Sequence, residues 1–147
     1  MYLLDTNHCS RIIFGEPALI EQLQLHSEAG VATSVIVRGE LFYMAAKSER
    51  TAANLHQIRA FLDTIDLYPI NLPISEIYGA LKGKLISAFG PKDKTQRRNF
   101  NPQNLGFGDN DLWIAATAIH YNLTVVSSDN DFQRLQQVEA FALESWV

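Results

Sequence analysis

The stretch Tyr2-Leu3-Leu4-Asp5-Thr6-Asn7 sets the organisation of the chain, because it changes from apolar to polar at a single residue. A short apolar run predicts a buried strand, and the polar residues that follow it predict the start of a helix. The same succession returns after Val31-Ala32-Thr33 and after Val125-Val126. Strands that alternate with helices are typical of an α/β fold with a mostly parallel sheet.

The rest of the chain extends this pattern to about five short strands with helices on both faces of the sheet. Strands are expected at 2–5, 31–33, 67–70, 125–126 and 141–143. Helices are expected at about 7–14, 17–30, 35–47, 51–65, 73–85, 111–121 and 132–135. Pro69 places the third strand at an edge, because proline cannot donate to a sheet ladder. With no repeat or linker, the chain of 147 residues predicts one domain, residues 1–147.

Composition and charge exclude several classes of protein. Hydrophobic residues make up 47% and charged residues 19%, as in ordinary globular proteins. No apolar stretch is long enough to span a bilayer, and the N-terminus lacks the pattern of a signal peptide. Cys9 is the only cysteine, which excludes an internal disulfide and favours a cytoplasmic location. The net charge of −4 argues against charge-driven binding to nucleic acid, although acidic metal ligands would bias that count.

Four acidic residues stand where one predicted element meets the next: Asp5, Glu40, Asp111 and Asp129. The carboxyl ends of parallel strands meet in one crevice of an α/β sheet, and ligands bind there. Carboxylates gathered in such a crevice repel one another unless a divalent cation bridges them. The arrangement therefore predicts a Mg²⁺ or Mn²⁺ site, and phosphodiester hydrolysis is the usual chemistry of such sites.

Two of these residues have a structural alternative. Asp5 could simply cap the helix that follows it, by accepting hydrogen bonds from first-turn N–H groups. An ionised aspartate directly after a buried strand is nevertheless costly without a partner, which favours metal binding. Glu40 could be exposed, or paired with Arg38 or Lys47, or it could reach back over the sheet edge to Asp5.

Two pairs of aspartates compete for the other positions. Asp111 begins an apolar helix and is expected to face the metal, whereas Asp109 would cap that helix or contact an outer-shell water. Asp129 directly ends a strand and is expected to point into the crevice, whereas Asp131 is better placed to cap the next turn. Ser127 could hydrogen-bond a ligating carboxylate or a metal-bound water.

Residues 90–108 are rich in proline, glycine and asparagine, so we predict a loop. A loop of that length within a compact domain is more often functional than idle. It carries a basic cluster that could hold RNA phosphates or could be a solvated surface: Lys92, Lys94, Arg97 and Arg98. Phe100 and Phe107 could stack on unpaired bases, although packing onto the domain is the simpler interpretation.

Four motifs, taken in order, resemble the PIN-domain family and most closely its small bacterial VapC-type toxins. They are Leu3-Leu4-Asp5-Thr6-Asn7, Ser34-x-x-x-x-Gly39-Glu40-Leu41, Asn110-Asp111-Leu112-Trp113-Ile114-Ala115-Ala116-Thr117-Ala118 and Val125-Val126-Ser127-Ser128-Asp129-Asn130-Asp131-Phe132. Each motif alone is weak, but together they span essentially the whole chain. The resemblance implies a PIN-like three-layer fold.

The resemblance also implies a function. It indicates a Mg²⁺- or Mn²⁺-dependent endoribonuclease, the toxin of a toxin–antitoxin pair, that cleaves RNA through a metal-activated water. Its acidic quartet would be Asp5, Glu40, Asp111 and Asp129, supported by Asn7 and Ser127. Ser127 stands where many relatives carry threonine, which keeps the hydroxyl, and the 90–108 loop looks longer than usual.

The implied partners are an RNA substrate, a cognate antitoxin and a second copy of the chain in a homodimer. A short antitoxin segment would need an apolar groove. The helices at 35–47 and 51–65 could form that groove, with Phe42, Tyr43 and Phe61 in it, although these side chains could equally belong to the core.

Two other classes of protein compete with the nuclease. A catalytically silent PIN-like scaffold would bind RNA or protein without cutting, but all four acidic positions are filled. A phosphotransfer receiver or phosphatase also gathers aspartates at strand ends. Here Asp5 lacks an acidic neighbour two residues on, and no suitably placed lysine follows a late strand. The histidines show no paired arrangement in the sequence: His8, His26, His56 and His120. Cys9 would need activation by His8 to act as a nucleophile.

Overall fold

A computed structural model describes residues 1–147 and places β1 at the centre of a five-stranded sheet. The strands are β1 (Tyr2–Leu4), β2 (Val31–Ser34), β3 (Asp66–Tyr68), β4 (Thr124–Val126) and β5 (Leu143–Glu144). Their order across the sheet is β3-β2-β1-β4-β5, and every neighbouring pair is parallel. The chain therefore builds outward from β1 to one edge and then crosses back to build the other. This topology places a crevice at the carboxyl end of β1, where the strand order reverses.

Eight α-helices cover the sheet: α1 (Thr6–Ile13), α2 (Pro17–Leu25), α3 (Val35–Ala46), α4 (Thr51–Leu62), α5 (Leu72–Phe89), α6 (Lys94–Arg98), α7 (Asp109–Tyr121) and α8 (Asn130–Gln136). The predicted α/β three-layer architecture is thus confirmed. The helix predicted from 17 to 30 ends at Leu25, and a separate 3-10 turn follows at Ser27–Ala29. None of the helices combines the length and apolar character that a bilayer-spanning segment requires.

β3 lies at the edge of the sheet, as Pro69 indicated, and that proline stands just beyond the last residue of the strand. The last strand begins two residues later than 141 and covers Leu143–Glu144. These shifts move boundaries and leave the element order unchanged.

The interpretation of residues 90–108 as a loop was wrong in part. The segment contains the short helix α6 and a 3-10 turn at Pro102–Leu105. Asp93 caps the first and Asn101 caps the second, each by accepting backbone N–H groups. Asn104 completes a capping box by accepting from the backbone N–H of Asn101. These local hydrogen bonds outweigh the helix-breaking composition.

The core lies between the sheet and the helix layers, and α7 is its most buried helix. Its inward side chains are fully buried, in agreement with the sequence prediction: Leu112, Ile114, Ala115, Ala116, Thr117 and Ala118. Thr117 satisfies its hydroxyl within the helix by donating to the carbonyl of Trp113 at 2.8 Å. A helix buried on nearly all sides is fixed in position. The first turn of α7 is consequently held rigidly beside the crevice.

Candidate functional site

A polar cavity of about 400 Å³ opens at the carboxyl edge of the sheet, and none of its lining residues is hydrophobic. Its walls are formed by Asp5, Thr6, Asn7, Glu40, Gly108, Asp109, Asn110, Asp111 and Asp129. We refer to these residues as the acidic pocket. No lysine, arginine or histidine is among them.

Each of the four acids named from the sequence reaches the acidic pocket from a different element. Asp5 follows β1, Asp129 follows β4, and Asp111 lies in the first turn of α7. Glu40 lies in the middle of α3, the helix that follows β2. Strands β2, β1 and β4 are adjacent in the sheet, so the residues that follow them lie close together at its carboxyl edge. The first turn of α7 adds Asp111 at the same edge.

Asp5 is 5% exposed and its carboxylate accepts three hydrogen bonds. Oδ1 accepts from the backbone N–H of His8 at 2.8 Å and lies 2.9 Å from Nδ1 of the His8 ring. Oδ2 accepts from the hydroxyl of Ser127 at 2.5 Å. Asp5 therefore caps α1, as the structural alternative proposed, and lines the acidic pocket as well.

Ser127 connects the two central strands at the pocket. Its buried hydroxyl donates to Asp5 after β1 and accepts from the backbone N–H of Asp129 at 3.0 Å. One hydroxyl therefore fixes the relative positions of two acidic residues that are far apart in sequence.

Glu40 faces the acidic pocket rather than a basic neighbour. Its Oε1 accepts a hydrogen bond from the hydroxyl of Thr6 at 2.8 Å. The alternative of an ion pair with Arg38 or Lys47 was wrong, because those cations lie over the rings of Phe42 and Tyr43.

The closest group of carboxylates is Asp111, Asp129 and Asp131, with one oxygen of each within 4.8 Å of the others. Burial, followed by the negative charges of Asp129, Asp131, Glu40 and Asp5, raises the pKa of Asp111 to about 7. Burial and Asp129 also raise the pKa of Asp131, against the opposing effect of Arg134. Such a cluster is costly until a cation offsets its charge.

We expected Asp131 to cap the helical turn after β4, and that expectation was wrong. Asp129 itself caps α8, by accepting from the backbone N–H of Asp131 at 2.9 Å. Asp131 lies inside the first turn and accepts from Nη1 of Arg134 at 3.4 Å. An aspartate directly before a helix has the extended backbone of a capping residue, whereas Asp131 is already helical.

Asp109 does not cap α7, since Gly108 occupies that position without a side-chain hydrogen bond. Its Oδ1 accepts from the hydroxyl of Tyr78 at 2.6 Å and lies 2.9 Å from Nζ of Lys82. Burial alone would raise the pKa of Asp109, but these two partners outweigh it and lower that pKa. Asp109 is thus an ionised and compensated carboxylate at the rim of the pocket.

The other residues singled out from the sequence differ in their relation to the acidic pocket. Asn7 lines it with an exposed side chain. The basic cluster lies on and just before α6 and contributes nothing to the pocket walls: Lys92, Lys94, Arg97 and Arg98. Phe107 is buried beneath the guanidinium of Arg134, so it packs rather than stacks on a ligand. Burial raises the pKa of the Cys9 thiol, which leaves it inert.

Sequence reasoning assigned no role at the site to four residues that contact these carboxylates, namely Thr6, His8, Tyr78 and Lys82. It also assigned none to Asn110, which lines the pocket. A signal for His8 existed, because the third residue after a helix cap can reach back to the capping residue. The contacts of Tyr78 and Lys82 depend on how α5 packs against α7, which local patterns do not reveal.

Comparison with known proteins agrees with this architecture. The family model for the PIN domain matches residues 2–138. Ribonuclease VapC2 of Rickettsia felis is 28% identical over 148 residues, covering 99% of this chain and 98% of that protein. Ribonuclease VapC2 of Haemophilus influenzae is 28% identical over 146 residues, with the same coverage.

A solved structure shows the same arrangement of elements. The crystal structure of VapBC2 from Rickettsia felis bound to a promoter DNA fragment contains a chain that superposes with a TM-score of 0.80. That chain is 28% identical, and the superposition covers 99% of this chain and 98% of that one. Given a family match from residue 2 to residue 138, this chain belongs to the PIN domain family.

Proposed function

We propose that this protein is a divalent-metal-dependent endoribonuclease that acts as the toxin of a toxin–antitoxin pair. The observation that carries the proposal is the acidic pocket, in which the four predicted acids and Asp109 meet without a basic side chain among the lining residues. Membership of the PIN domain family and similarity to two proteins named Ribonuclease VapC2 support the ribonuclease assignment. The resemblance to VapC-type toxins supports the biological role.

The donor set of the pocket fits Mg²⁺, with Mn²⁺ as a substitute, because both are hard cations that prefer carboxylate oxygens. Burial and the neighbouring negative charges raise the pKa of Asp111, and a bound cation would relieve both effects. Asp5, Glu40, Asp111 and Asp129 would hold the metal, and the supporting residues would be Asn7, Ser127, Asp109 and Asp131. When bound, the cation supplies neutralisation of charge on the scissile phosphate and activation of water.

The residues of the chain prepare the pocket for that chemistry. Ser127 and His8 orient the carboxylate of Asp5, and the hydroxyl of Thr6 holds one oxygen of Glu40. Tyr78 donates to Oδ1 of Asp109 and Lys82 pairs with the same oxygen, which supports a place for Asp109 at the rim of the pocket. Attack by water requires no ribose 2′-hydroxyl, so the expected products carry 5′-phosphate and 3′-hydroxyl ends.

The RNA would extend beyond the acidic pocket. A second cleft of about 600 Å³ shares Thr6, Glu40 and Asn110 with the pocket and continues along α3. We assign the basic cluster on and just before α6, which does not line the pocket, to RNA phosphates at a distance from the scissile bond, because cations contact the phosphate backbone.

The antitoxin would dock along α3, close to the same cleft. Val35, Ile36 and Met44 line the cleft with Tyr43, which is 66% exposed. Phe42 and Phe61, expected in the same groove, are half-buried against the core. An antitoxin bound there would obstruct access to the acidic pocket. A cytoplasmic homodimer remains part of the proposal.

The test is cleavage of defined tRNA and rRNA fragments by the purified full chain in Mg²⁺, in EDTA, and with Asp5→Asn. The matched control is Asp63→Asn, which makes the same change at an exposed position outside the acidic pocket. Cleavage that needs Mg²⁺, survives Asp63→Asn and is lost in Asp5→Asn would support the proposal.

Two results would count against it. Equal cleavage by wild type and Asp5→Asn would identify a contaminating nuclease. An absence of cleavage across a broad RNA panel, together with no Mn²⁺ binding by calorimetry, would favour the catalytically silent PIN-like scaffold.

A further inference from the structure

His8 is a fully buried histidine in direct contact with Asp5 of the acidic pocket. Its Nδ1 lies 2.9 Å from Oδ1 of Asp5, while its Nε2 is buried without a hydrogen-bond partner. An ionised carboxylate can only accept, so the His8 ring donates from Nδ1 in this contact. The orphaned Nε2 disfavours folding, which shows that stability alone does not account for a histidine here.

The helix cap does not depend on the His8 ring. The backbone N–H of His8 donates to the same Oδ1 at 2.8 Å, and any residue except proline would preserve that bond. The imidazole therefore provides a second donor to an oxygen whose capping role is already satisfied. The His8 ring therefore helps to orient the carboxylate of Asp5.

The hydrogen bonds of Asp5 leave one acceptor position open. A carboxylate has about four such positions. Two on Oδ1 are occupied by His8, and one on Oδ2 is occupied by Ser127. The remaining acceptor position is on Oδ2, the oxygen that would be free for a cation.

We propose that His8 is a positioning residue that holds Asp5 through Nδ1–H···Oδ1, so that Oδ2 is presented to a divalent cation. This inference rests on the metal-dependent function proposed above and adds a residue to it. Donors that orient ligating carboxylates contribute to metal affinity although they never touch the metal.

Two substitutions separate positioning from packing. His8→Leu fills a similar volume, removes the donor and also removes the orphaned Nε2. His8→Asn keeps a nitrogen donor at the same number of bonds from Cβ as Nδ1. The measurements are Mn²⁺ affinity by calorimetry and thermal unfolding in EDTA, both on the full chain.

We expect His8→Leu to bind Mn²⁺ about 10- to 100-fold more weakly than wild type. In EDTA it should unfold at the wild-type temperature or above it. His8→Asn should bind Mn²⁺ with an affinity that is much less than tenfold weaker than that of wild type. If His8→Leu fails to fold, His8→Gln replaces it. The glutamine amide lies one bond further from Cβ than Nδ1 does, so it should not donate to Asp5 in the same geometry.

The outcomes distinguish this inference from the proposed nuclease. Wild-type Mn²⁺ affinity in His8→Leu, or equal losses in His8→Leu and His8→Asn, would overturn the positioning role even if the protein cleaves RNA. Weakened binding in His8→Leu, restored in His8→Asn, would support it even if no RNA were cut. A wild-type protein that binds no Mn²⁺ would overturn both.

Discussion

The two sides of the acidic pocket hold their carboxylates in opposite ways. On the β1 side, Asp5 is buried and receives three hydrogen bonds. On the α7 and α8 side, Asp111, Asp129 and Asp131 crowd together, with Arg134 as the cation paired with the group. One side is organised before any cation arrives, and the other carries a charge repulsion that a cation would relieve. The pocket thus combines a fixed ligand with a set of carboxylates that favour cation binding.

The largest expected effect concerns the repelling side and pH. The pKa of Asp111 is raised to about 7 in the folded protein, above its unfolded value near 3.8, so the folded state binds that proton more tightly. In EDTA, the contribution of Asp111 to the free energy of unfolding should be largest below pH 4 and should decrease as the pH rises from 4 to 7. After allowance for solvent screening, the loss is about 2–4 kcal/mol.

Urea unfolding between pH 5 and pH 8 measures this effect, and Asp111→Asn is the comparison. The variant lacks the titrating group and should show a flatter profile, with greater stability than wild type at pH 8. A wild-type profile that rises from pH 5 to pH 8 and is unchanged by Asp111→Asn would remove the contrast between the two sides.

The second effect is stabilisation by the cation itself. A ligand present at 100 times its Kd stabilises the folded state by about 2.7 kcal/mol. We expect Mn²⁺ to raise the unfolding temperature of wild type, and to have little effect on Asp111→Asn. Thermal unfolding with KCl at matched ionic strength controls for screening. An equal rise in both proteins would place the bound cation elsewhere.

The third effect concerns the organised side. Ser127→Ala removes the donor to Oδ2 of Asp5 and leaves the backbone N–H of Asp129 without that acceptor. We expect a loss of about 1–3 kcal/mol in the free energy of unfolding. Ser128→Ala is the matched control, because Ser128 is exposed and should change stability by no more than about 0.5 kcal/mol. Equal effects at the two serines would show that Ser127 does not fix Asp5.

The smallest effect comes from the rim. Lys82→Gln removes the cation beside Asp109, in a pair whose side chains are 30% and 40% exposed. Stability should fall by less than about 1 kcal/mol, because surface ion pairs contribute little. Mn²⁺ should bind slightly more tightly, because the variant removes an exposed positive charge that repels the cation through solvent.

Calorimetry checks this prediction, with Lys84→Gln as control. Lys84 pairs with Glu139 and lies outside the acidic pocket. Weaker Mn²⁺ binding in Lys82→Gln than in Lys84→Gln would show that Lys82 helps to build the pocket rather than opposing its charge.

The sequence was informative about the pocket wherever a residue stands at the end of a strand. Asp5 and Asp129 could be located from the apolar runs that precede them, because parallel strands carry their carboxyl ends to one edge. The contacts of Asp109 with Tyr78 and Lys82 could not be predicted, since they join helices that are about 30 residues apart along the chain. They arise from the rotation of α5 against α7, which packing decides.

The short helices near α6 show a different limit. Asp93 and Asn101 are ordinary capping residues, and Asn101 stands directly before Pro102. The signal was therefore present, but the density of proline and glycine around it predicted a loop. Short helices that depend on a few capping hydrogen bonds are difficult to separate from loops by composition.

The order of the strands has a consequence for protein synthesis. β1 leaves the ribosome first, yet one of its two neighbours in the sheet is β4, at residues Thr124–Val126. A nascent chain that ends before that point has an open edge on its central strand and lacks Ser127 and Asp129. The acidic pocket is therefore completed only when Asp129 has been made, after about seven-eighths of the 147 residues. A translation product that ends just before β4 would carry Asp5, Glu40 and Asp111 but would lack Asp129, the fourth acid of the proposed metal site.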